Sequence, residues 1–218
     1  MKNINQKIIN LIRKLEVYSP YPLFYKFRMT KDEQEIFNKH VKSSQFYLEF
    51  GSGGSTLHVL QKSKAKIYSV ESSLDWIAYL SKYLYIRKAR NNQRLFFHYV
   101  NIGQTGRWGY PVSEVSKNLF PNYSKDIFNT LDANQIDTVL IDGRFRVACV
   151  LSVILNMHSN KNTTIIIHDF WNREKYHIVL NYLNKVDQID TLGVFQIKNN
   201  IDLNSVMQDY NIYKYIAD

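Results

Sequence analysis

Acids and a glycine turn carry most of the chemistry this chain can do. In YLEFGSGGSTLHVL, residues 47–60, a run with β character reaches Glu49, then Gly51, Gly53 and Gly54, and a helical pattern opens at Ser55 and Thr56. A glycine turn between a strand and a helix lets backbone N–H groups converge on a polar ligand at the helix N-terminus. A phosphate loop needs a Gly-Lys-Ser/Thr ending, and no lysine follows the turn before Lys62. A dinucleotide fingerprint would place its third glycine at position 56, where Thr56 stands. Glu71 closes the next β-rich run about 20 residues after Gly51, the distance at which a strand-end carboxylate can accept hydrogen bonds from a ribose diol. Glu49 could face a ligand ammonium group. A nucleoside bearing an amino acid satisfies both carboxylates.

A second cluster lies in LIDGRFR and IIIHDFWN. Asp142 and Asp169 each close an apolar run, so adjacent strand ends would aim both at one crevice. Two carboxylates there could hold a divalent cation through oxygen. Without metal, His168 or Asp169 is the natural general base for an acceptor hydroxyl, although a histidine at a strand end is often a hydrogen-bonded core residue, and Asp142-Gly143 may equally be an ordinary turn. Arg144 and Arg146 flank Phe145; they suit bidentate recognition of carboxylate or phosphate, or else pair with Asp142 or Glu114. Trp108 could cover the site or serve only the loop that carries it. Tyr176 and His177 could line an acceptor pocket or simply pack.

The elements that must position these groups follow from pattern. From Phe46 onward, β-rich runs (FYLEF, KIYSVE, RLFFHYV, IDTVLID, TTIIIHD) alternate with helical ones opening at Ser55, Ser73, and about Arg146 and Arg173. TVLI and TIII are continuous apolar runs, as strands buried on both faces require. The expectation is an α/β, doubly wound, mostly parallel seven-stranded sheet with helices on both faces and an antiparallel last strand pair, its two strands set about Gly193. An N-terminal helical arm, residues 1–43, precedes a domain of residues 44–218. Within the arm, Pro20 and Pro22 forbid a continuous helix, and Thr30 with Glu33 forms a capping box opening a helix to about Val41. Residues 101–125 form the longest irregular stretch, a candidate lid.

The residues quoted resemble the class I, Rossmann-like S-adenosylmethionine-dependent methyltransferases. The acid-x-Gly-x-Gly-x-Gly turn of that class is matched by Glu49, Gly51 and Gly53, with Gly54 present and Ser55 where the last glycine stands; its acid at the end of strand two is matched by Glu71. The resemblance covers roughly residues 44 to 198. Within the class the chain looks most like bacterial methyltransferase-like proteins with a GSGGST turn, a WG-x-P loop and an IDGRFR strand end. It implies S-adenosylmethionine held by Glu49, Gly51, Ser52, Gly53, Gly54, Ser55, Thr56, Glu71, Ser72, Ile102, Trp108 and Asp142. It further implies Asp142, His168 and Asp169 as catalytic groups and Arg144, Arg146, Tyr176 and His177 around the acceptor. Similar catechol and macrocin O-methyltransferases hold Mg²⁺ on such acids, which would here be Asp142 and Asp169; an acid or amide often follows the second aspartate in those enzymes, and Phe170 follows it here.

Composition bounds the rest. The 218 residues are 45% hydrophobic and 22% charged, values of a folded domain. The single cysteine, Cys149, excludes an internal disulfide and a cysteine zinc site. Lys7, Arg13 and Lys14 break any signal-peptide core, and no apolar run approaches the roughly 18 residues of a membrane span, so a cytoplasmic protein is expected. Ile4, Ile8, Ile12 and Leu15 would make an apolar stripe on a helix, for docking on the body, a homodimer contact or peripheral membrane contact. The net charge of +9, with six cations and no acid at Lys82, Arg87, Lys88, Arg90, Arg94 and Arg107, favours acidic partners. The expected activity is O-methylation of a small polar or anionic acceptor, a glycan or other hydroxyl compound. Nucleic acid is disfavoured, because IDGR stands where amino-methylating DNA enzymes carry Asn-Pro-Pro-aromatic. The rival is a catalytically silent module binding nucleic acid or anionic membrane through its basic face.

Overall fold

The structure, a computed structural model, describes residues 11–160 and 162–217. Seven strands, β1 (Phe46–Phe50), β2 (Lys66–Glu71), β3 (Leu95–Tyr99), β4 (Thr138–Ile141), β5 (Thr164–Ile167), β6 (Leu183–Ile189) and β7 (Leu192–Ile197), form one sheet in the order β3-β2-β1-β4-β5-β7-β6. The first five are parallel; β7 runs antiparallel to both β5 and β6. The helices are α1 (Lys31–Val41), α2 (Gly54–Lys62), α3 (Leu74–Leu80), α4 (Leu84–Asn91), α5 (Asn122–Lys125), α6 (Arg146–Met157) and α7 (Leu203–Tyr213). The doubly wound α/β sheet expected from the alternation is the fold observed, with its antiparallel pair at one edge.

Side-chain alternation along the strands divides the core in two. Leu48 and Phe50 of β1, Val139 and Ile141 of β4, and Ile165 and Ile167 of β5 face α6 and α7. Tyr47, Ile67, Leu140 and Ile166 face the other way, onto Phe37 and Val41 of α1 and Leu57 and Leu60 of α2. Burial on both faces explains why β4 and β5 read as unbroken apolar runs.

Three elements differ from expectation. The helix opening at Ser73 is two helices, α3 and α4, with Ser73 capping the first through its Oγ, which accepts from Trp76 N at 3.2 Å. The helix expected from about Arg173 is a run of 3₁₀ turns over Glu174–Asn181. It is anchored in the core by Tyr176 and Val179, the three-residue spacing that a 3₁₀ helix brings into line. The hairpin turns at Asp190-Thr191, with Asp190 at φ 45°, rather than about Gly193, which lies inside β7 where the Phe195 ring fills the space of a Cβ.

Preceding the sheet, residues 11–16 are helical and residues 17–30 form a strap without regular structure. Ile4 and Ile8 of the apolar stripe lie outside the described residues; Leu15 is exposed. The strap is pinned along α2 and α4: Leu84 N donates to Val17 O at 2.7 Å, Gln61 Nε2 to Pro22 O, and Tyr25 Oη meets His58 Nδ1 at 2.8 Å. The capping box of α1 is present, Thr30 N donating to Glu33 Oε2 at 2.9 Å and Glu33 N to Thr30 Oγ1 at 3.1 Å. Among the described residues no helix is long and apolar enough to cross a membrane.

Candidate active site at the carboxyl ends of the strands

The turn after β1 is built by close backbone contact. Gly51 has φ +98°, and a Cβ there would lie 2.7 Å from Gly143 Cα, so the β1 and β4 ends can meet only if both positions are glycine. At Gly54 a Cβ would fall 2.0 Å from the Lys26 carbonyl oxygen of the strap. Gly53 differs: nothing lies within 4 Å of its Cβ position. That open space is what a ligand would occupy.

Glu49 does not face it. The side chain is wholly buried, and its carboxylate accepts from Ser55 Oγ at 2.9 Å, Ser69 Oγ at 2.7 Å, Tyr47 Oη at 3.4 Å and the Thr56 hydroxyl. Thr56 Oγ1 in turn accepts from Gly53 N at 2.9 Å. Burial pushes the Glu49 carboxyl up to about 7, against the pull of the Ser69, Thr56 and Ser55 donors. Glu49, Ser55 and Thr56, expected as ligand contacts, instead form an internal polar knot that shapes the turn. The sequence marks the acid but not its direction.

Glu71 does stand at the turn. Its Oε1 accepts from Ser72 N at 2.7 Å and Ser73 N at 2.9 Å, and its Oε2 from Ser52 N at 3.3 Å. Burial raises its pKa, with the three N–H groups opposing. The end of β2 is thereby tied to the glycine turn, leaving Oε2 with one donor and capacity for another. Ser52 also bonds Ser69 through its Oγ at 2.6 Å, and its carbonyl accepts from Trp76 Nε1 at 2.8 Å. Trp76 was not marked by any sequence motif; its position in the first turn after an N-cap serine is the only signal. Ile102 is buried in the core and contributes no surface to the cleft.

Asp142, His168 and Asp169 come together as expected: one ligand atom from each lies within 4.8 Å of the others. What fills the space between them is Arg146. Its guanidinium reaches Asp142 Oδ1 at 3.1 Å and Asp169 Oδ2 at 3.4 Å, and it donates to the carbonyls of Gly143, Asp142 and His168. Arg146 is 3% exposed, so it is an internal clamp and not the acceptor-binding arginine its position in the sequence suggested. Arg146 and Arg173 already partner the two aspartates, and Mg²⁺ beside these fixed guanidinium groups would meet like charge; the residues do not fit a magnesium site.

His168 is likewise committed. Nδ1 lies 3.0 Å from Asp142 Oδ1 and Nε2 3.5 Å from Glu33 Oε2. Burial lowers the imidazole pKa, but the Asp142 hydrogen bond and the charges of Asp142 and Asp169 outweigh it and the net shift is upward. Both ring nitrogens of His168 face carboxylates, so its visible role is to hold Asp142 in place. Asp142 shifts the opposite way: burial raises its pKa, but the His168 bond and the Arg146 charge outweigh this, the net shift is downward and the carboxylate stays ionised. The Asp142 and Asp169 side chains are 29% and 28% exposed, so both acids reach the surface at the strand ends.

Arg144, by contrast, sits at the mouth under the Tyr110 ring, 4.1 Å from the centroid. Trp108 is 53% exposed, with the guanidinium groups of Arg28 and Arg107 at 4.4 and 5.2 Å from its ring. Tyr176 is core, 1% exposed, and His177 bonds the Phe170 carbonyl at 3.2 Å; neither opens onto the cleft. Trp108 in the loop, and Phe145 and Asp169 just beyond β4 and β5, have left-handed backbones at φ 63°, 54° and 52°, uncommon for non-glycine residues.

No protein-family model matches the chain, and no curated protein matches it. Among solved structures, a methyltransferase-like protein from Silicibacter pomeroyi is 28% identical, with TM-score 0.75, over 89% of this chain and 98% of that one. The chain has the Rossmann-like methyltransferase fold. A more distant likeness, 14% identical with TM-score 0.51 over 90% of this chain and 96% of the other, is to a Staphylococcus aureus protein provisionally assigned as a caffeoyl-CoA O-methyltransferase. In the methyltransferase fold the ends of β1, β2 and β4 flank one crevice, where Gly53, Glu71 and Asp142 stand here.

Proposed function

We infer that this protein is an S-adenosylmethionine-dependent methyltransferase acting on the oxygen of a small polar or anionic hydroxyl compound. One observation carries the reading: the glycine turn, open at Gly53, is tied to two oriented carboxylates, to Glu71 through Ser52 N and to the Asp142-Gly143 backbone through Gly51, with Glu71 fixed by three backbone N–H groups and Asp142 by His168 and Arg146. Glu71 suits a ribose diol. The fold likeness to a methyltransferase-like protein over nearly the whole of both chains supports the same reading.

The cofactor, when bound, supplies an electrophilic methyl group on a sulfonium. The chain's own residues orient. Asp142 and Asp169, at the ends of adjacent strands, can accept a hydrogen bond from an acceptor hydroxyl and aim its oxygen into the cleft. With its pKa held low, Asp142 is a weak base, so the hydroxyl proton passes to water as the oxygen takes the methyl group from sulfur, and positioning supplies most of the rate. Incubation with isotopically labelled methyl donor and a panel of sugars and phenols tests this. A labelled ether is expected from wild type and at least about 100-fold less from Asp142→Asn; transfer from S-adenosylmethionine that is unaffected by Asp142→Asn would refute the assignment.

A second reading, a binding module without turnover, is favoured by one feature. A groove of about 590 Å³ between α4 and the edge strand β3 is lined by Arg87, Lys88, Arg90, Phe96 and Phe97, away from the cleft. Salt-sensitive binding of RNA or anionic vesicles with no S-adenosylhomocysteine binding would select it.

A further inference from the structure

We propose that Trp108-Gly109-Tyr110 and the arginines gathered on it form a subsite for the phosphate group of a small hydroxyl-bearing acceptor. The binding claim stands on the geometry below; its role as the acceptor's subsite rests on the methyltransferase reading above.

Three segments distant in sequence send a guanidinium to this loop, which adds Arg107 of its own. Arg28 comes from the strap and lies 4.4 Å from the Trp108 ring centroid; Arg107 precedes that ring and lies 5.2 Å from it. Arg144 follows β4 and lies 4.1 Å from the Tyr110 ring. Arg173 follows β5, donates to Asp169 Oδ2 at 3.2 Å, and reaches the Tyr110 hydroxyl. Cation–π contact holds Arg28 and Arg107 on the indole at modest gain but does not neutralise them. Asp169 already serves Arg146 and Arg173. Among the described residues, Arg28 and Arg107 have no carboxylate partner, although both approach a single indole. Such convergence of unneutralised cations is unfavourable by itself and becomes favourable when an anion bridges them.

The backbone is held for this purpose. Trp108 and Gly109 are consecutive left-handed residues at φ 63° and 75°. That conformation places Gly109 against the catalytic strand ends: its Cβ position is 3.7 Å from Arg144 Cγ and 3.8 Å from Ser72 Oγ, next to Glu71. The cations therefore border the same crevice as Glu71 and Asp142. Two guanidinium forks without carboxylates match a phosphate dianion better than a single carboxylate, which one fork satisfies. Arg144 is only 7% exposed, so the subsite has depth, which favours a small phosphate ester over a polymer running across the surface.

Calorimetry and tryptophan fluorescence with inorganic phosphate, glycerol 3-phosphate, acetate and a ten-nucleotide single-stranded RNA test the proposal, with Trp108→Phe identifying the fluorescence signal. Phosphate and glycerol 3-phosphate are expected to bind, acetate at least about tenfold more weakly. Arg28→Gln and Arg107→Gln should each weaken phosphate about tenfold, with melting temperature unchanged because both side chains are exposed. Undiminished phosphate binding in both variants, or acetate binding as well as phosphate, would overturn the subsite. RNA binding more tightly than glycerol 3-phosphate with the same arginine dependence would overturn the small acceptor. S-adenosylhomocysteine titrated in parallel separates the claims: phosphate binding without it sinks the methyltransferase reading alone, and its binding without phosphate sinks the subsite alone.

Discussion

The three glycines of the turn after β1 have three different reasons to be glycine, and substitution separates them. Gly53 has open space, so Gly53→Val should leave the melting temperature within a few degrees while weakening S-adenosylhomocysteine at least about tenfold. Gly54→Ala drives a methyl group into the Lys26 carbonyl and Gly51→Ala into Gly143, the latter at positive φ, so both should cost about 1–3 kcal/mol by denaturant unfolding. Glu49 gives a pH signature. Its folded value of about 7 lies above the ordinary 4.5, so its contribution to stability is complete below pH 4.5 and is lost as pH rises through 7. Glu49→Gln should flatten that fall; His168, also raised, falls in the same sense above its ordinary value of 6.5 and remains in both proteins. Unfolding curves of wild type and Glu49→Gln between pH 4.5 and 8 compare the two, and parallel curves would refute the buried-acid assignment. Arg146→Met would leave Asp142 and Asp169 short of their shared cation in a buried site, an expected loss of about 3–5 kcal/mol. A chemical denaturation midpoint unchanged by Arg146→Met would contradict the clamp.

At the scale of elements, α1 is tied to the site by one residue. Glu33 closes the capping box, accepts from Thr191 N at 3.1 Å and Thr191 Oγ1 at 2.6 Å, and lies 3.5 Å from His168 Nε2. Burial raises its pKa, but the Thr191 and Thr30 donors and the His168 charge prevail and it stays ionised. Thr30→Ala removes only the cap, about 1 kcal/mol. Glu33→Gln should cost more and lower the His168 pKa, which NMR titration of the imidazole reads directly; an unmoved His168 would mean the two do not couple. The capping box was legible in Thr30 and Glu33 because it is a local pattern; the reach of Glu33 to Thr191 and His168 spans more than a hundred residues and has no local signature. The same distinction explains the rest. TVLI and TIII disclosed a doubly covered parallel sheet, since period and burial are linked along each strand. Glu71 and Asp142 could be placed from strand ends alone. Glu49, Arg146 and His177 could not: Glu49 is one residue from a strand end, Arg146 opens its helix and His177 lies in a 3₁₀ run, and at each a small rotation decides between cleft and core.

For the whole molecule, the strap of residues 17–30 and the loop of residues 101–125 meet where Arg28 lies over Trp108. The sheet supplies the acids, and these two segments supply the rim. Seven of the strands' carboxyl-end and rim residues discussed above are arginine or aspartate in ion pairs or ring contacts, so charge as well as packing sets the cleft's shape. The central claim is that this cleft holds S-adenosylmethionine between Glu71 and the glycine turn. Calorimetric titration of wild type and Glu71→Ala with S-adenosylhomocysteine tests it most directly. Micromolar binding in wild type, weakened at least about 30-fold in a folded Glu71→Ala, is the expected result; absence of binding in wild type, or equal binding in both, would contradict it.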